Sequence, residues 1–332
     1  HFLDAGYDIV PLNKIADVYV LNSCTVTHVA DSKARNAIRT ARKLNPNSVI
    51  VATGCYAERI GQEIGDLVDV DLVIGNVGKQ SLVDKVTDLL GQSMDTFGLN
   101  NVTKPNKYLS DNDKGTISSR TRAMIKIQEG CNQICAYCIV PKVRGREMSI
   151  SPQSIVTNIL ELEKNSYSEV VLTGTQLGTY GFDLQDTDLY ALLMYILENT
   201  TIPRIRLSSL QPQEITPKLL SIWDNKRMCP HFHIPLQSGS NKVLKAMRRR
   251  YTREEFRNTV EMVRNHIPES SITTDVIVGF PGEEDKEFQE TYDLCLETEL
   301  ANIHTFPFSK RPGTSANLFS GQINDVSKTY RS

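Results

Sequence analysis

Three of the seven cysteines fall within eight residues, in the run Cys131-Asn-Gln-Ile-Cys135-Ala-Tyr-Cys138. Three thiolates spaced C-x3-C-x2-C can hold three corners of an iron–sulfur cube, for which Cys is the usual ligand. Four irons on three protein ligands leave one iron open, and an open position on a cofactor is where substrate chemistry takes place. The competing chemistry is structural zinc. Zinc sites favour separated pairs such as C-x2-C and close with a fourth Cys or His, whereas the next His after this loop is His231. Cys24 and Cys55 each sit just past an apolar run that reads as a strand. Cys229 and Cys295 match no pattern and read as structural. An odd cysteine count in a large chain indicates a reduced compartment and metal binding rather than a disulfide scaffold.

Two segments must position these residues. The 332 residues predict about two domains at roughly 150 residues each. In the first, residues 17–22, 48–53 and 70–74 read as buried strands, and 29–44 and 78–90 carry helical spacing. Strand–helix alternation implies a doubly wound parallel sheet, whose ligands sit beyond the carboxyl ends of the strands. This domain is assigned to residues 1–91. Residues 92–121 are polar and lack periodicity, as expected of a linker. Residues 122–332 carry six candidate strands, at 122–128, 169–173, 204–208, 231–236, 272–278 and 303–308. Helical stretches fall between most of them, which predicts a six-stranded (β/α)6 partial barrel. The three-cysteine loop follows its first strand, at the face where barrel active sites are built. The fold class is therefore α/β throughout.

Composition narrows the function. The balance of 37 basic and 39 acidic residues gives a formal net charge of −2, so any nucleic-acid contact must come from a local basic patch. With 40% hydrophobic and 23% charged residues, disorder, collagen and coiled coil are excluded as the main architecture. No apolar run approaches the ~18 residues of a membrane helix.

The C-x3-C-x2-C loop after a first barrel strand resembles the radical S-adenosylmethionine enzymes, and its flanks, IQEGCNQICAYCIVPKVRGRE, resemble the methylthiotransferases among them. Further matches run in family order. They are Leu21-Asn-Ser-Cys-Thr-Val-Thr27, Thr53-Gly-Cys-Tyr-Ala57, Leu172-Thr-Gly-Thr-Gln-Leu-Gly178, His233-Ile-Pro-Leu-Gln-Ser-Gly-Ser-Asn241, Asp275-Val-Ile-Val-Gly-Phe-Pro-Gly-Glu283 and Phe308-Ser-Lys-Arg-Pro-Gly-Thr-Ser-Ala316. NSCTVTHVADSK and MRRRYTREEF look most like the bacterial tRNA threonylcarbamoyladenosine methylthiotransferases.

The resemblance implies that Cys131, Cys135 and Cys138 hold a 4Fe–4S cluster whose open iron chelates S-adenosylmethionine. Reductive cleavage then gives a 5′-deoxyadenosyl radical that activates C2 of a modified adenosine beside the tRNA anticodon, where a methylthio group is inserted. It places Tyr137 near the cofactor's adenine, Gly174 and Thr175 at its amino group, Gln237 and Ser238 at its ribose, and Asp275 and Gly279 on the adenine-binding strand. Cys24 and Cys55 match two of three ligands of a second 4Fe–4S cluster, the first ligand being expected upstream of His1. The family's small C-terminal RNA-binding (TRAM) domain is likewise expected to lie outside these residues. The chain begins with His rather than Met, as expected of a fragment. An electron donor, flavodoxin-like or other, a sulfur source and a cytoplasmic location are expected, with no membrane partner.

For the tRNA anticodon loop, Lys142, Arg144 and Arg146 are the expected contacts, since they would rim the site where phosphates approach. The denser run Lys242, Lys245, Arg248, Arg249, Arg250 and Arg253 reads as a solvated helix face. Alternatives with the same chemistry are isopentenyladenosine in tRNA or an aspartate of a ribosomal protein. A zinc-bearing RNA-binding protein without catalysis is the alternative from another class.

Overall fold

A computed structural model describes residues 2–61, 69–97 and 122–332. They form two compact units, one holding the described residues up to 97 together with Lys142–Arg144, the other holding residues 122–141 and 145–332.

In the first unit the chain runs through β1 (Val18–Ser23), α1 (His28–Leu44), β2 (Val49–Gly54), α2 (Cys55–Ile60), β3 (Leu72–Ile74) and α3 (Leu82–Phe97). The strands form a parallel sheet in the order β1-β2-β3. The central strand β2 reads VIVATG and is buried along its length, as a parallel strand covered on both faces must be. Helix α1 starts where the Thr27 hydroxyl accepts from the Ala30 N–H at 3.2 Å. Its Ala34, Ile38 and Ala41 recur at helical spacing and are buried. Ile38 and Ala41 pack on Tyr19, Leu21 and Ile50. On the opposite face Val86 of α3 packs on Val49, Val51 and Ile74. The expected helix over 78–90 divides into a 3-10 turn, Val77–Ser81, and α3, which continues to Phe97 into the stretch read as linker. Residues 98–121 of that linker lie outside the described residues.

The second unit contains β4 (Arg122–Lys126), a hairpin of β5 (Gln128–Glu129) and β6 (Met148–Ser149), then β7 (Glu169–Thr173), β8 (Arg204–Leu207), β9 (His231–His233), β10 (Ser271–Val278) and β11 (Asn302–Pro307). Two parallel arcs, β4-β7-β8 and β9-β10-β11, are joined by bridges at Ile205–Met228 and Ser209–His233. The six strands expected of the partial barrel are thus present in sequence order. The first is shorter than expected because the chain turns at Ile127 into the hairpin.

Alternation sorts the barrel strands. Ile125, Val170, Leu172, Ile205, Phe232 and Val276 share one core with Ile155, Leu192, Phe256, Val260 and Leu294 of the covering helices. Each such side chain, fully buried, contributes about 1.5–3 kcal/mol. After exposed Ser271, strand β10 alternates between buried and half-buried residues, so Thr273 and Asp275 fall on the face away from that core. At the start of β7, burial works against the Glu169 carboxylate. Arg206 and Arg204, each 2.8 Å away, nevertheless hold its pKa down to about 2.

Candidate active site

The three-cysteine loop is held by its backbone. Gly130 enters it at φ +75°, and a Cβ there would meet the Arg146 carbonyl at 1.9 Å, so only glycine fits. The Cys131 N–H donates to the Gly145 carbonyl at 3.1 Å and the Ala136 N–H to the Met247 carbonyl at 2.9 Å. Glu147, buried, accepts from the Asn132 N–H at 3.0 Å. These bonds fix a loop with no regular structure of its own.

The thiols collect donors. The Gln133 N–H lies 3.4 Å from Cys131 Sγ, and Arg249 Nη1 lies 3.3 Å from Cys135 Sγ. Burial raises the Cys131 thiol pKa and pushes that of Cys138 up to about 11, with mutual repulsion among the three sulfurs adding to it. Cys131 and Cys138 are thus held toward the thiol form, and a bound metal centre would draw them down as thiolates. Among the described residues no three Cys, His, Asp or Glu side chains form a cage for one ion. A cube attaches each thiolate to a different iron and requires no convergence on a point. Three thiols on one loop with no fourth Cys or His in it are the donor set of an iron–sulfur cube with one open iron rather than of a closed zinc site.

Behind Cys135 lies a polar network that the sequence did not reveal. Arg249, placed by its sequence in a solvated basic run, is instead half-buried. Its Nε donates to the Tyr251 hydroxyl at 3.1 Å and its Nη2 to Gln211 Oε1 at 3.1 Å. Burial opposes its charge, but Tyr251, Tyr137 and Cys135 outweigh that and keep the guanidinium firmly protonated. Gln211 Nε2 donates to Gln176 Oε1 at 2.5 Å, and Gln176 Nε2 to Glu214 Oε1. Burial raises the Glu214 pKa to about 7 despite these bonds. Gln128 Oε1 takes the N–H groups of Thr175 and Gln176 at 2.9 and 3.0 Å.

The residues expected at the cofactor divide. Tyr137 follows the loop's second thiol, and burial holds its phenol well above its ordinary pKa. Gly174 ends β7 where a Cβ would come within 3.0 Å of Gln128 Oε1. Beside it the Thr175 hydroxyl is buried with no hydrogen-bond partner among the described residues. Gln237 stands at φ +62° with its backbone bonded to Asp275 and Ile277. Ser238 is fully buried, and its hydroxyl is occupied by Thr291 at 3.3 Å and the Ser240 N–H at 3.2 Å. Asp275 Oδ2 faces His233 Nε2 at 3.1 Å. At Gly279 (φ +71°) a Cβ would strike Lys328 Cγ at 2.4 Å, so packing by itself requires glycine there.

In the first unit, Ser23 and Gly54 are register partners, which puts Cys24 and Cys55 at adjacent strand ends. Cys24 is exposed and Cys55 buried. Gly54, at φ +93°, turns β2 directly into α2; a Cβ there would lie 2.6 Å from the Ser23 carbonyl. Arg144 belongs to this unit, its Nε 3.4 Å from Cys55 Sγ. Lys142 and Arg146 are exposed.

Residues 125–295 match the family model described as the radical SAM superfamily, and residues 1–75 match the uncharacterized protein family UPF0004. The threonylcarbamoyladenosine tRNA methylthiotransferase of Bacillus subtilis (strain 168) is 39% identical over 99% of this chain and 73% of its own length. The chain belongs to the radical SAM methylthiotransferase family. A second family member, the enzyme of the same name from Aquifex aeolicus (strain VF5), is 40% identical over 99% of this chain and 80% of its own length. As a family member the protein is a transferase. Its fold resembles that of the radical S-adenosylmethionine methyltransferase TsrM of Kitasatospora setae, with a TM-score of 0.65 at 15% identity, covering 91% of this chain and 66% of that one. Among the described residues no helix is long and apolar enough to cross a membrane.

Proposed function

We propose that the protein adds a methylthio group to C2 of N6-threonylcarbamoyladenosine beside the anticodon of tRNA. One observation carries the reading: a C-x3-C-x2-C loop at the mouth of an open parallel barrel, in a chain 39–40% identical over 99% of its length to enzymes named for that reaction. Cys131, Cys135 and Cys138 would hold a 4Fe–4S cluster. With S-adenosylmethionine bound, that cluster supplies the electron and the carbon-centred radical the reaction needs. The chain's own residues position the parts. Gly130 and the backbone bonds to Gly145 and Met247 keep the three thiols on one fixed loop. Arg249 supplies a half-buried positive charge against Cys135. Gly174 lets Gln128 and Leu177 close against the end of β7, and Thr175 offers an uncommitted hydroxyl beside it.

Cys24 and Cys55, at neighbouring strand ends, would contribute two ligands of a second cluster in the first unit. Exposed Lys142 and Arg146 are suited to phosphates of the anticodon loop, and a sulfur source and a reductant complete the partners.

Nucleoside mass spectrometry of tRNA from cells lacking the gene tests the substrate. Loss of the 2-methylthio form of threonylcarbamoyladenosine, restored by the gene and not by a Cys135→Ala copy, is expected. Loss of methylthiolated isopentenyladenosine instead, or no change in any methylthio nucleoside, overturns the assignment.

A further inference from the structure

Between Arg249 and Glu214 the amides of Gln211 and Gln176 are aligned head to tail. Arg249 Nη2 gives a hydrogen bond to Gln211 Oε1, Gln211 Nε2 gives one to Gln176 Oε1, and Gln176 Nε2 gives one to Glu214 Oε1. Each amide presents its oxygen toward the cation and its nitrogen toward the carboxyl group. Turning either amide around would set N–H against N–H at one end and O against O at the other, inside a half-buried site where unpaired polar groups are costly. The orientation of both glutamines is thus fixed from the cationic end, because Arg249 can only donate and each amide must then pass its N–H on toward Glu214. The remaining lone pair of Gln211 Oε1 takes Gln213 Nε2 at 3.0 Å.

The relay is tied to the cysteine loop at two points. At one end Arg249 Nη1 donates to Cys135 Sγ. At the other, Gln128 Oε1 accepts the Gln176 N–H while Gln128 Nε2 donates to the Gly130 carbonyl at 3.1 Å, one residue before Cys131. Room for the acidic end is made by Gly178, where a Cβ would stand 2.2 Å from Glu214 Cδ. Glu214 is further anchored by the Gln211 N–H at 2.9 Å.

We infer that Gln211, Gln176 and Glu214 are positioning residues that hold Arg249 on Cys135 Sγ, and that this contact raises the reduction potential of a cluster carried by that thiol. The inference rests on the cluster assignment above. Reduction adds negative charge to the cluster and its sulfurs. A guanidinium hydrogen bond to one sulfur favours the reduced state, and losing that bond lowers the potential. The relay sets how firmly the guanidinium stays there. Without Gln211 as partner, Arg249 keeps only Tyr251 and the sulfur, and its long side chain regains rotamer freedom.

The test is a redox titration of the anaerobically reconstituted protein, followed by electron paramagnetic resonance of the reduced cluster. Iron and sulfide content are measured on each sample. Variants Arg249→Met, Gln211→Leu and Gln176→Leu are compared with Arg250→Gln, which removes an exposed neighbouring charge. In Arg249→Met the ratio of reduced to oxidised cluster at fixed potential should fall about tenfold, equivalent to about 59 mV for a one-electron couple. Gln211→Leu and Gln176→Leu should fall in the same direction by a smaller factor, and Arg250→Gln should leave the ratio unchanged. Two results overturn the inference while leaving the cluster assignment intact: full cluster content with an unshifted potential in Gln211→Leu, or an Arg250→Gln shift as large as that of Arg249→Met. A parent protein that carries no cluster on the loop overturns the assignment and the inference together.

Discussion

Gly178→Ala isolates one interaction of the site in a form that can be worked through. The new Cβ would lie 2.2 Å from Glu214 Cδ, 2.3 Å from Oε2 and 2.4 Å from Cγ, so the carboxyl group must leave its place. It then loses the Gln211 N–H at 2.9 Å and the Gln176 amide. Above pH 7, where this carboxyl group is ionised, hydrogen bonds to it contribute about 1.5–3 kcal/mol each, and water reaching a half-buried carboxyl recovers part of that. The φ of Gly178 is not in the left-handed region, so alanine there also restricts the unfolded chain and returns about 0.4–1 kcal/mol. The net cost should be about 2–3 kcal/mol. In a unit of this size that lowers Tm by roughly 4–12 °C. Thermal unfolding followed by circular dichroism measures it. The decisive comparison is a double-mutant cycle with Glu214→Ala. Once the Glu214 side chain is gone, Gly178→Ala should cost nothing and gain slightly. Equal losses in both backgrounds would mean that glycine is required there for some reason other than Glu214.

Cys135→Ala should abolish reductive cleavage of S-adenosylmethionine under dithionite, because two thiols cannot hold the cube with its open iron in place; 5′-deoxyadenosine at the parent rate would refute the ligand assignment. Glu214 has a folded pKa of about 7 against its ordinary 4.5, raised chiefly by burial. The protonated form is therefore favoured by folding, and its contribution is complete below pH 4.5 and lost as pH rises through about 7. Glu214→Gln should flatten that part of the stability–pH curve measured by urea unfolding, and an unchanged slope would count against the buried carboxyl. Replacing exposed Lys142 and Arg146 by Gln should weaken tRNA binding and reduce the slope of log affinity against log salt by about 0.7 per lost single-strand phosphate contact. Filter binding at several salt concentrations checks it, and a parent slope in the double variant would refute phosphate contact.

What the sequence made legible follows from where the information is local. The buried strands of the first unit are runs of apolar residues, and VIVATG cannot avoid being one. Among the barrel strands β7 (EVVLT) carries a buried apolar run and β10 (SITTDVIV) an alternation, and all six begin within a residue of their expected starts. Helix α2 left no trace because it follows β2 without a turn. The change of direction is made by one residue, Gly54, whose left-handed conformation cannot be told from its letter. The 3-10 turn ahead of α3 was equally silent, since its five residues fit the helical period well enough to be absorbed into the helix. The C-x3-C-x2-C spacing was legible for the opposite reason: cysteines are rare and their ligand geometry is strict.

The network behind Cys135 was hidden because most of it is not local. Gln128 in β5, Gln176 after β7, the Gln211–Glu214 turn after β8 and Arg249 after β9 come from four separate places in the chain. Each is an unremarkable polar residue where it stands. A basic run such as MRRRY reads as solvated because its neighbours Arg248 and Arg250 are exposed, yet the residue between them turns inward. The one sequence trace is the second glycine of Thr173-Gly-Thr-Gln-Leu-Gly178, which lies in a 3-10 turn but has no positive φ to require glycine. Its reason lies 36 residues downstream, in the carboxyl group it makes room for. A glycine without a backbone requirement thus marks a place where another side chain must pass, and here that side chain belongs to the acidic end of the relay. Gly279 shows the same logic in reverse, since its positive φ and the Lys328 stem pressed against it account for the glycine without any ligand. Of the two glycines, then, it is Gly178 that points toward the chemistry.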